Sequence, residues 1–221
     1  MLSPELMQFL KDLSKNNNRE WFHANKKRYE REAKKPFAAL LQSITESLND
    51  HGHEIEIAPK DMVFRINRDI RFSKDKSPYK THLSAIISKR GRKNKDYPGY
   101  YLHIDKGSVM MGGGAYFLEK APLYQVRQAI AQGLSDFEQI ITNKNFIAHY
   151  GTIQGDANKR LPKEFVEVAK VQPLIANKQF YFMSEHDPTI ALKEDFVATI
   201  TRHFLAGKPV NDWLRTAIGV E

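Results

Sequence analysis

The stretch Asp61-Met-Val-Phe-Arg-Ile-Asn-Arg-Asp-Ile-Arg-Phe-Ser-Lys-Asp-Lys-Ser-Pro-Tyr-Lys-Thr-His82 separates a helical pattern from an alternating one. In its first half, apolar residues recur with period two, which predicts a strand that buries Phe64, Ile66, Ile70 and Phe72. The opposite face of this strand would carry a polar row formed by Arg65, Asn67, Asp69 and Arg71, together with Val63. Arg68 falls among the apolar positions, so it needs a carboxylate partner or a place at the strand edge.

The segments that follow predict an antiparallel sheet. Alternation indicates strands over His82–Ser88, Gly99–Asp105 and Ser108–Met111, the last of which leads into Gly112-Gly113-Gly114. In the second of these strands, Tyr101, His103 and Asp105 share one face. The short connections favour an antiparallel meander, because a parallel crossover needs about a dozen residues or more.

Helical patterns lie on both sides of the predicted sheet in the sequence. Helix starts are indicated by Pro4, Asn18, Pro36 and Pro122. A long helix is predicted after Asp187-Pro188, ending at Gly207, with a last helix after Pro209. The fold class is therefore α+β, with N-terminal helices, a central mainly antiparallel sheet, and C-terminal helices packed on one face.

The length bounds the domain organisation. With 221 residues, the chain is expected to form a single domain over 1–221, with a helical segment over about 1–52, the sheet over about 55–116, and a mainly helical remainder. No apolar run approaches the roughly 20 residues needed to cross a bilayer, and the start of the sequence lacks a secretory pattern. We therefore expect a cytoplasmic protein without a membrane contact.

The composition limits the chemistry. Hydrophobic residues at 41% and charged residues at 27% are typical of a globular protein. The absence of cysteine excludes disulfides, thiolate metal sites and cysteine nucleophiles. The formal charge of +8 favours an anionic partner, such as a nucleotide or a nucleic acid. Charge alone does not decide this, because many basic proteins bind no nucleic acid.

Several motifs, in order along the chain, resemble one family. They are Asn17-Asn18-Arg19-Glu20-Trp21-Phe22, Asn25-Lys26, Tyr29, the run from Arg68 to His82, Gly99-Tyr100-Tyr101, the triple glycine, Arg127 and Arg160-Leu161-Pro162-Lys163. The chain is similar in these segments to the bacterial and fungal proteins grouped as domain of unknown function 2461. Glu164 departs from the pattern, which has glycine after the last motif. The resemblance implies no activity, cofactor or catalytic residue.

The cations of the central stretch predict an anion site. Arginine matches two oxygens at once, and lysines add attraction, so a phosphate-bearing ligand, such as a nucleotide or nucleic acid, fits this set. The expected ligand-binding residues are Arg65, Asn67, Asp69, Arg71, Lys74, Lys76, Tyr79, Lys80 and His103. Alternatively, Asp69, Asp75 and Glu20 neutralise these cations in a structural network. Tyr79 is the candidate for stacking on a nucleobase.

Two other chemistries stay open. A hydrolase or transferase acting on a phosphorylated substrate would use Asp69, His82 or His103 for proton transfer or for metal binding. A basic protein-interaction module is a third alternative. No pair of histidines has a recognised ligand spacing, so we predict no metal site, and the cofactor and the oligomeric state stay unknown. The triple glycine lacks the nucleotide-binding fingerprints, and a bulge or a tight strand exit accounts for it better than an anion site.

Overall fold

The computed structural model describes residues 2–94 and 96–220, and it has an α+β fold, as predicted. Helices α1 to α10 span Pro4–Lys15, Arg19–Ala24, Lys26–Arg28, Lys35–Asn49, Pro59–Met62, Lys120–Gln132, Leu134–Ile141, Lys144–Tyr150, Val166–Val171 and Phe196–Ala217. Strands β1 to β4 span His82–Ile87, Gly99–Asp105, Val109–Ala115 and Phe180–His186. A π-helical turn covers Tyr29–Lys34, and 3₁₀ turns cover Lys163–Phe165, Pro173–Ala176 and Pro188–Leu192.

The four strands form one antiparallel sheet in the order β1-β2-β3-β4. The first three strands follow each other directly in the chain, as the short connections predicted. In β2, the predicted alternation is confirmed, because Tyr100, Leu102 and Ile104 are buried while the residues between them are only partly buried. This alternation leaves His103 and its neighbours on the less buried face of the strand.

The chain forms two compact units. The first unit consists of Met1–Arg92, Tyr101–Met110 and Glu185–Thr201. The second unit consists of Lys93–Tyr100, Met111–Ser184 and Arg202–Glu221. The expectation of a single domain over 1–221 stays a prediction.

The first unit has a core made by the N-terminal helices. Helix α1 begins at Pro4, as predicted, and buries an apolar stripe formed by Leu6, Phe9, Leu10 and Leu13. The predicted cap of α2 is confirmed, since the Asn18 side chain accepts a hydrogen bond from the Trp21 N–H at 2.9 Å. Helix α4 buries the stripe that starts at Phe37 and packs against α5 and β1. These contacts fix the backbone on which the candidate site is built.

The second unit has its own aromatic core. Its buried cluster includes Phe137, Phe146, Tyr150, Phe180 and Phe182. The second half of α10 contributes to this cluster through apolar residues such as Leu214. Asn211 is fully buried there; its side chain accepts from the Gly114 N–H at 2.8 Å and donates to the Gly99 carbonyl at 3.3 Å. The buried amide is thereby bonded on both sides.

The strand predicted from Asp61 onward is wrong. Residues 59–62 form α5, and the following segment makes only two isolated bridges, Val63 to Ala85 and Asn67 to Tyr79. Ile66 is buried, but Phe72 is 96% exposed. The physical reason is that side chains compete with a neighbouring strand for the backbone N–H groups. The Asp69 and Asp75 carboxylates accept from N–H groups two residues later, which draws the chain into turns, and Pro78 has no N–H to donate to a sheet.

The triple glycine lies within a strand rather than after one. Residues 112–114 belong to β3. A Cβ atom on Gly112 would lie 2.2 Å from the Phe182 carbonyl oxygen, and one on Gly114 would lie 2.2 Å from the Phe180 carbonyl oxygen. The glycines therefore serve the close approach of two backbones and not an anion site.

The two predicted C-terminal helices are one helix. Helix α10 continues through Pro209 to Ala217. Gly207 does not end it, because a Cβ atom at this position would lie 2.3 Å from the Phe182 ring, so the glycine makes room for that ring. Asp187 caps the 3₁₀ turn Pro188–Leu192 instead of a long helix, accepting from the Thr189 N–H at 2.8 Å.

Across residues 2–94 and 96–220, no helix combines the length and the apolar character that crossing a bilayer requires.

Candidate functional site

A polar cleft of about 490 Å³ lies in the first unit. The end of α1 and the turn after it contribute Ser14 and Asn17 to its lining. The remaining walls come from Arg68, Asp69, Asp75, Ser77 and the run 79–82. The cleft therefore gathers residues from the central stretch of the sequence, although that stretch is not a strand.

Asn17 fixes the run 79–82 to the N-terminal helices. Its side-chain Nδ2 donates to the Tyr79 carbonyl at 2.8 Å, and its Oδ1 accepts from the Tyr79 N–H at 3.0 Å. The pair copies the pattern of two neighbouring strands. Lys80, Thr81 and His82 follow directly, so the amide sets where their side chains enter the cleft.

Asp75 organises the loop formed by residues 68–77. Its carboxylate pairs with the Arg68 guanidinium and accepts from the Ser77 N–H at 2.9 Å and the Ser77 hydroxyl at 2.7 Å. These bonds, led by that from the Ser77 hydroxyl, hold the pKa of Asp75 well below its usual range. The predicted need of Arg68 for a carboxylate partner is confirmed.

Asp69 and Arg71 form a second pair in this loop. Arg71 donates from Nε at 3.0 Å and from Nη2 at 2.7 Å to the two carboxylate oxygens. This fork lowers the pKa of Asp69 to about 2. The Arg71 side chain is 76% exposed and does not line the cleft. The predicted polar row of a strand is thus replaced by a surface ion pair, while Arg65 and Asn67 lie exposed on the preceding segment.

Lys80 is a partly buried cation without a carboxylate partner among the described residues. Its ammonium lies 5.0 Å from the centroid of the Phe64 ring. Burial lowers the pKa of Lys80, and the neighbouring Arg65 lowers it further. A cation that is partly desolvated and faces another cation is a position where a bound anion would relieve unfavourable electrostatics.

Two histidines are stacked beside the cleft. The rings of His82 and His103 lie 4.2 Å apart between centroids, with 28° between their planes. His82 lines the cleft. Burial lowers the pKa of His82 to about 4, and the charges of His103 and Lys80 add to the shift. At neutral pH, His82 is therefore a neutral imidazole that can donate one hydrogen bond and accept one.

His103 is held between two side chains of its own strand. Its Nδ1 lies 3.2 Å from the Tyr101 hydroxyl, and its Nε2 lies 3.2 Å from the Asp105 carboxylate. Burial opposes ionisation of Asp105, but hydrogen bonds from the Gly107 N–H and from His103 outweigh it and keep the pKa of Asp105 below its usual range. The carboxylate therefore orients the His103 ring behind His82.

The other predicted ligand-binding residues are placed differently. Lys74 is exposed, and no described residue pairs with it. Lys76 donates to the Ile70 carbonyl at 3.0 Å. Tyr79 is 5% exposed and stacks on Phe22 at 4.0 Å, so its predicted role as an exposed stacking surface is wrong. The phenol fails to reach solvent because the backbone around it is fastened to the N-terminal helices.

Several lining residues were not predicted as site residues. The hydroxyls of Ser14, Ser77 and Thr81 carry no local pattern that separates them from ordinary surface residues. Asn17 contacts a residue 62 positions away, which no local spacing reveals. In the described part of the chain, no three histidine, aspartate or glutamate side chains are grouped to hold a metal ion.

Arg127, a residue of the sequence resemblance, belongs to the fold of the second unit. It is buried, and it donates from Nε to the Ile175 carbonyl at 3.0 Å and from Nη2 to the Asn177 carbonyl at 3.1 Å. These carbonyls lie at the end of a 3₁₀ turn, where a cation compensates unpaired acceptors.

The comparisons with known proteins give a family. The model of the family described as "Conserved hypothetical protein (DUF2461)" matches residues 5–213. The chain matches no curated protein and no solved structure.

Proposed function

The chain belongs to the DUF2461 family of conserved hypothetical proteins, whose description assigns no activity, and we propose that it binds a phosphate-bearing anion in the cleft lined by Lys80. The observation that carries this proposal is the partly buried ammonium of Lys80, which has no carboxylate partner among the described residues and is close enough to Arg65 for the two charges to repel. Keeping a cation in such a place is unfavourable unless an anion joins it. The cytoplasmic location expected from the sequence stays a prediction.

The donors around Lys80 favour phosphate over a simple carboxylate. Arg68, Thr81 and His82 line the same cleft as Lys80. A phosphate offers three or more oxygens in different directions, whereas a carboxylate offers two in one plane. Neutral His82 supplies an N–H donor without adding another charge. The cleft thus suits a tetrahedral anion better than a flat one.

The carboxylates of the cleft indicate which groups the ligand carries besides its phosphate. Asp69 and Asp75 keep lone pairs beyond those used by their arginines, and both line the cleft. Such acceptors bind hydroxyl or amino groups. A volume of about 490 Å³ also exceeds what a bare phosphate fills and lies within the range of small-molecule sites. We therefore favour a sugar phosphate or a nucleotide.

A ligand panel tests this proposal. Thermal unfolding is followed for wild type, Lys80→Gln and Lys27→Gln with phosphate, pyrophosphate, a hexose phosphate, a nucleoside monophosphate and sulfate. Lys27 is exposed and unpaired among the described residues, so its substitution removes the same charge away from the cleft. A ligand at 100 times its dissociation constant stabilises by about 2.7 kcal/mol. The shift should persist in Lys27→Gln and disappear in Lys80→Gln. An equal shift in both variants, or no shift in wild type, would remove the proposal.

A second candidate function is hydrolysis or transfer of the phosphoryl group. It is supported by the neutral His82, which is stacked on the oriented His103 at the cleft wall. The imidazole would accept the proton of an attacking water or hydroxyl while its oxygen bonds to phosphorus, the ester P–O bond breaks, and solvent protonates the leaving oxygen. Release of phosphate from the panel esters should then fall by about 100-fold or more in His82→Gln. Binding without turnover would leave the protein as a binder.

A further inference from the structure

Phe72 is a large apolar side chain that the fold does not use. The ring is 96% exposed, although the alternating pattern predicts that it is buried. The loop that carries it is nevertheless organised by internal bonds. Arg68 pairs with Asp75, and the Ser73 N–H donates to the Ile70 carbonyl at 3.3 Å. The ring is therefore presented to solvent by a loop with defined hydrogen bonds.

The surroundings of Phe72 are cationic. The Arg71 guanidinium lies 5.9 Å from the centroid of the ring. Residues 65–80, which we call the basic segment, contain six lysine and arginine residues and two aspartates, a net charge of +4 and half of the formal +8 of the chain. Lys74 in this segment has no partner among the described residues. An exposed aromatic ring in a segment whose cations outnumber its carboxylates complements a ligand with flat bases and phosphates.

We propose that the loop formed by residues 68–77 binds single-stranded nucleic acid, with one base stacked on Phe72 and the neighbouring phosphates attracted by the basic segment. The inference stands apart from the cleft proposal, because it rests on the exposed ring and on the charge around it. It also replaces Tyr79 by Phe72 as the stacking residue.

A membrane or a protein partner fits this surface less well. Within residues 65–80, Phe72 is the only large hydrophobic side chain that is exposed. Insertion into a lipid headgroup layer draws on a broader apolar face, and a protein interface is built around several apolar residues. A single ring gives little apolar area but is enough for one base. Base pairs in a duplex keep their faces covered, so the surface should prefer single strands.

Fluorescence anisotropy with three labelled probes tests the proposal. The probes are a single strand of about 12 thymidines, a strand of abasic units with the same number of phosphates, and a duplex of equal length. Phe72→Ala should weaken binding of the thymidine strand by about 5- to 150-fold, the range for loss of one stacked base, and should leave the abasic strand unaffected. Phe72→Trp should retain wild-type affinity, because indole also stacks.

Matched variants control for exposure and charge. Tyr116 is an exposed aromatic residue of the second unit, 71% exposed, so Tyr116→Ala should leave binding unchanged. Lys74→Gln should weaken both strands more than Lys27→Gln, which removes the same charge outside the basic segment. Lys80→Gln, which lies in the basic segment, should weaken the thymidine and abasic strands alike, whereas Phe72→Ala should leave pyrophosphate binding in the cleft unchanged, so failure of the cleft proposal and failure of this one are distinguishable.

Three results would overturn the inference. The first is no binding of the thymidine strand at about 50 mM salt, where backbone attraction is strong. The second is a Phe72→Ala affinity within about twofold of wild type, or an equal loss for thymidine and abasic strands. The third is binding to vesicles of anionic and neutral phospholipid that depends on Phe72 while strand binding does not. Circular dichroism establishes that each variant is folded.

Discussion

The side-chain amide of Asn17 bonds both backbone polar groups of Tyr79, donating at 2.8 Å and accepting at 3.0 Å. The contact joins the turn between α1 and α2 to the start of the cleft wall. The segment before β1 is not a continuous strand, so no neighbouring strand bonds the N–H and the carbonyl of Tyr79 on this side. The amide thus takes the place of a missing neighbouring strand.

We expect Asn17→Ala to destabilise the protein and to lower the affinity of the cleft for its ligand. Loss of two hydrogen bonds to a partly buried backbone should lower the free energy of unfolding by about 1–3 kcal/mol. Urea unfolding measures this change, and ligand titration measures the accompanying loss of affinity.

The matched control for this substitution is Asn145→Ala. Asn145 is exposed in α8, and no hydrogen bond of its side-chain amide is seen among the described residues. Its substitution should change the free energy of unfolding by less than about 0.5 kcal/mol. Equal effects of the two substitutions would contradict the role assigned to Asn17.

The carboxylate of Asp75 should keep the loop at 68–77 resistant to protease. Asp75→Ala removes the acceptor for Arg68 and for both donors of Ser77, so the loop should open more often. Trypsin should then cleave faster after Arg71, Lys74 or Lys76, as followed by mass spectrometry. Because Asp75 lies at the surface, the midpoint of global unfolding should hardly move.

Asp187→Ala is the control for the protease experiment. Asp187 accepts from the N–H and hydroxyl of Thr189 at 2.8 and 2.5 Å, which is the same turn motif in another part of the first unit. Cleavage within 68–77 should not change in this variant. If Asp75→Ala behaves like Asp187→Ala, the hydrogen bonds of Asp75 do not order the loop.

His82 should make the protein sensitive to mild acid. Its pKa is lowered to about 4 in the folded protein, against 6.5 for an ordinary histidine. The unfolded chain binds the proton first as the pH falls, so the contribution of His82 is fully present above about pH 6.5 and is lost progressively toward pH 4. Allowing for partial solvent screening, roughly 1–2 kcal/mol should be lost between pH 7.5 and 5.

Urea unfolding of wild type and His82→Gln at the two pH values measures this contribution. The variant lacks the titrating ring, so its stability should fall less than that of wild type over the same interval. A parallel fall in both proteins would show that His82 is not responsible. The paired carboxylates contribute equally to both proteins and mainly at lower pH, since the pKa of Asp69, for example, is about 2.

Gly112 should not tolerate a side chain. A Cβ atom would lie 2.2 Å from the Phe182 carbonyl oxygen and 2.7 Å from the Met183 sulfur, so the backbone of the second unit would have to move. Gly112→Ala should lower the free energy of unfolding by about 1–3 kcal/mol or more. Thermal and urea unfolding both measure this loss.

Gly133→Ala provides the comparison. Its φ is −125°, and the nearest atom to a new Cβ would be the Ala129 carbonyl oxygen at 3.4 Å. The change should stay below about 1 kcal/mol. A mild effect at Gly112, similar to that at Gly133, would contradict the close approach of the two backbones.

The sequence predicted the elements whose pattern is local. The α+β class, the strand Gly99–Asp105, the cap at Asn18 and the start at Pro4 all depend on spacing or on a single capping residue. The predicted end of the helix at Gly207 is wrong, because this glycine accommodates the Phe182 ring, which lies 25 positions earlier. Only tertiary packing distinguishes that use of glycine from a helix end.

Residues of the stretch expected to carry the site line the cleft, but the geometry predicted for that stretch is wrong. Alternation placed Arg65 and Arg71 side by side on a strand, whereas the Asp69 and Asp75 side chains turn the chain into a loop. Side-chain capture of the backbone breaks a strand without altering its hydrophobic pattern. Because this segment is a loop and not a strand, Phe72 is exposed and Tyr79 is buried, the opposite of what the sequence predicted.

The most direct test of the cleft proposal is isothermal titration calorimetry with pyrophosphate at neutral pH. Wild type and Lys27→Gln should bind one pyrophosphate per chain with similar affinity, and Lys80→Gln should bind at least about tenfold more weakly, because a cation that lines the cleft is missing. Equal affinity in Lys80→Gln and Lys27→Gln, or no heat of binding to wild type at millimolar ligand, would contradict the anion site.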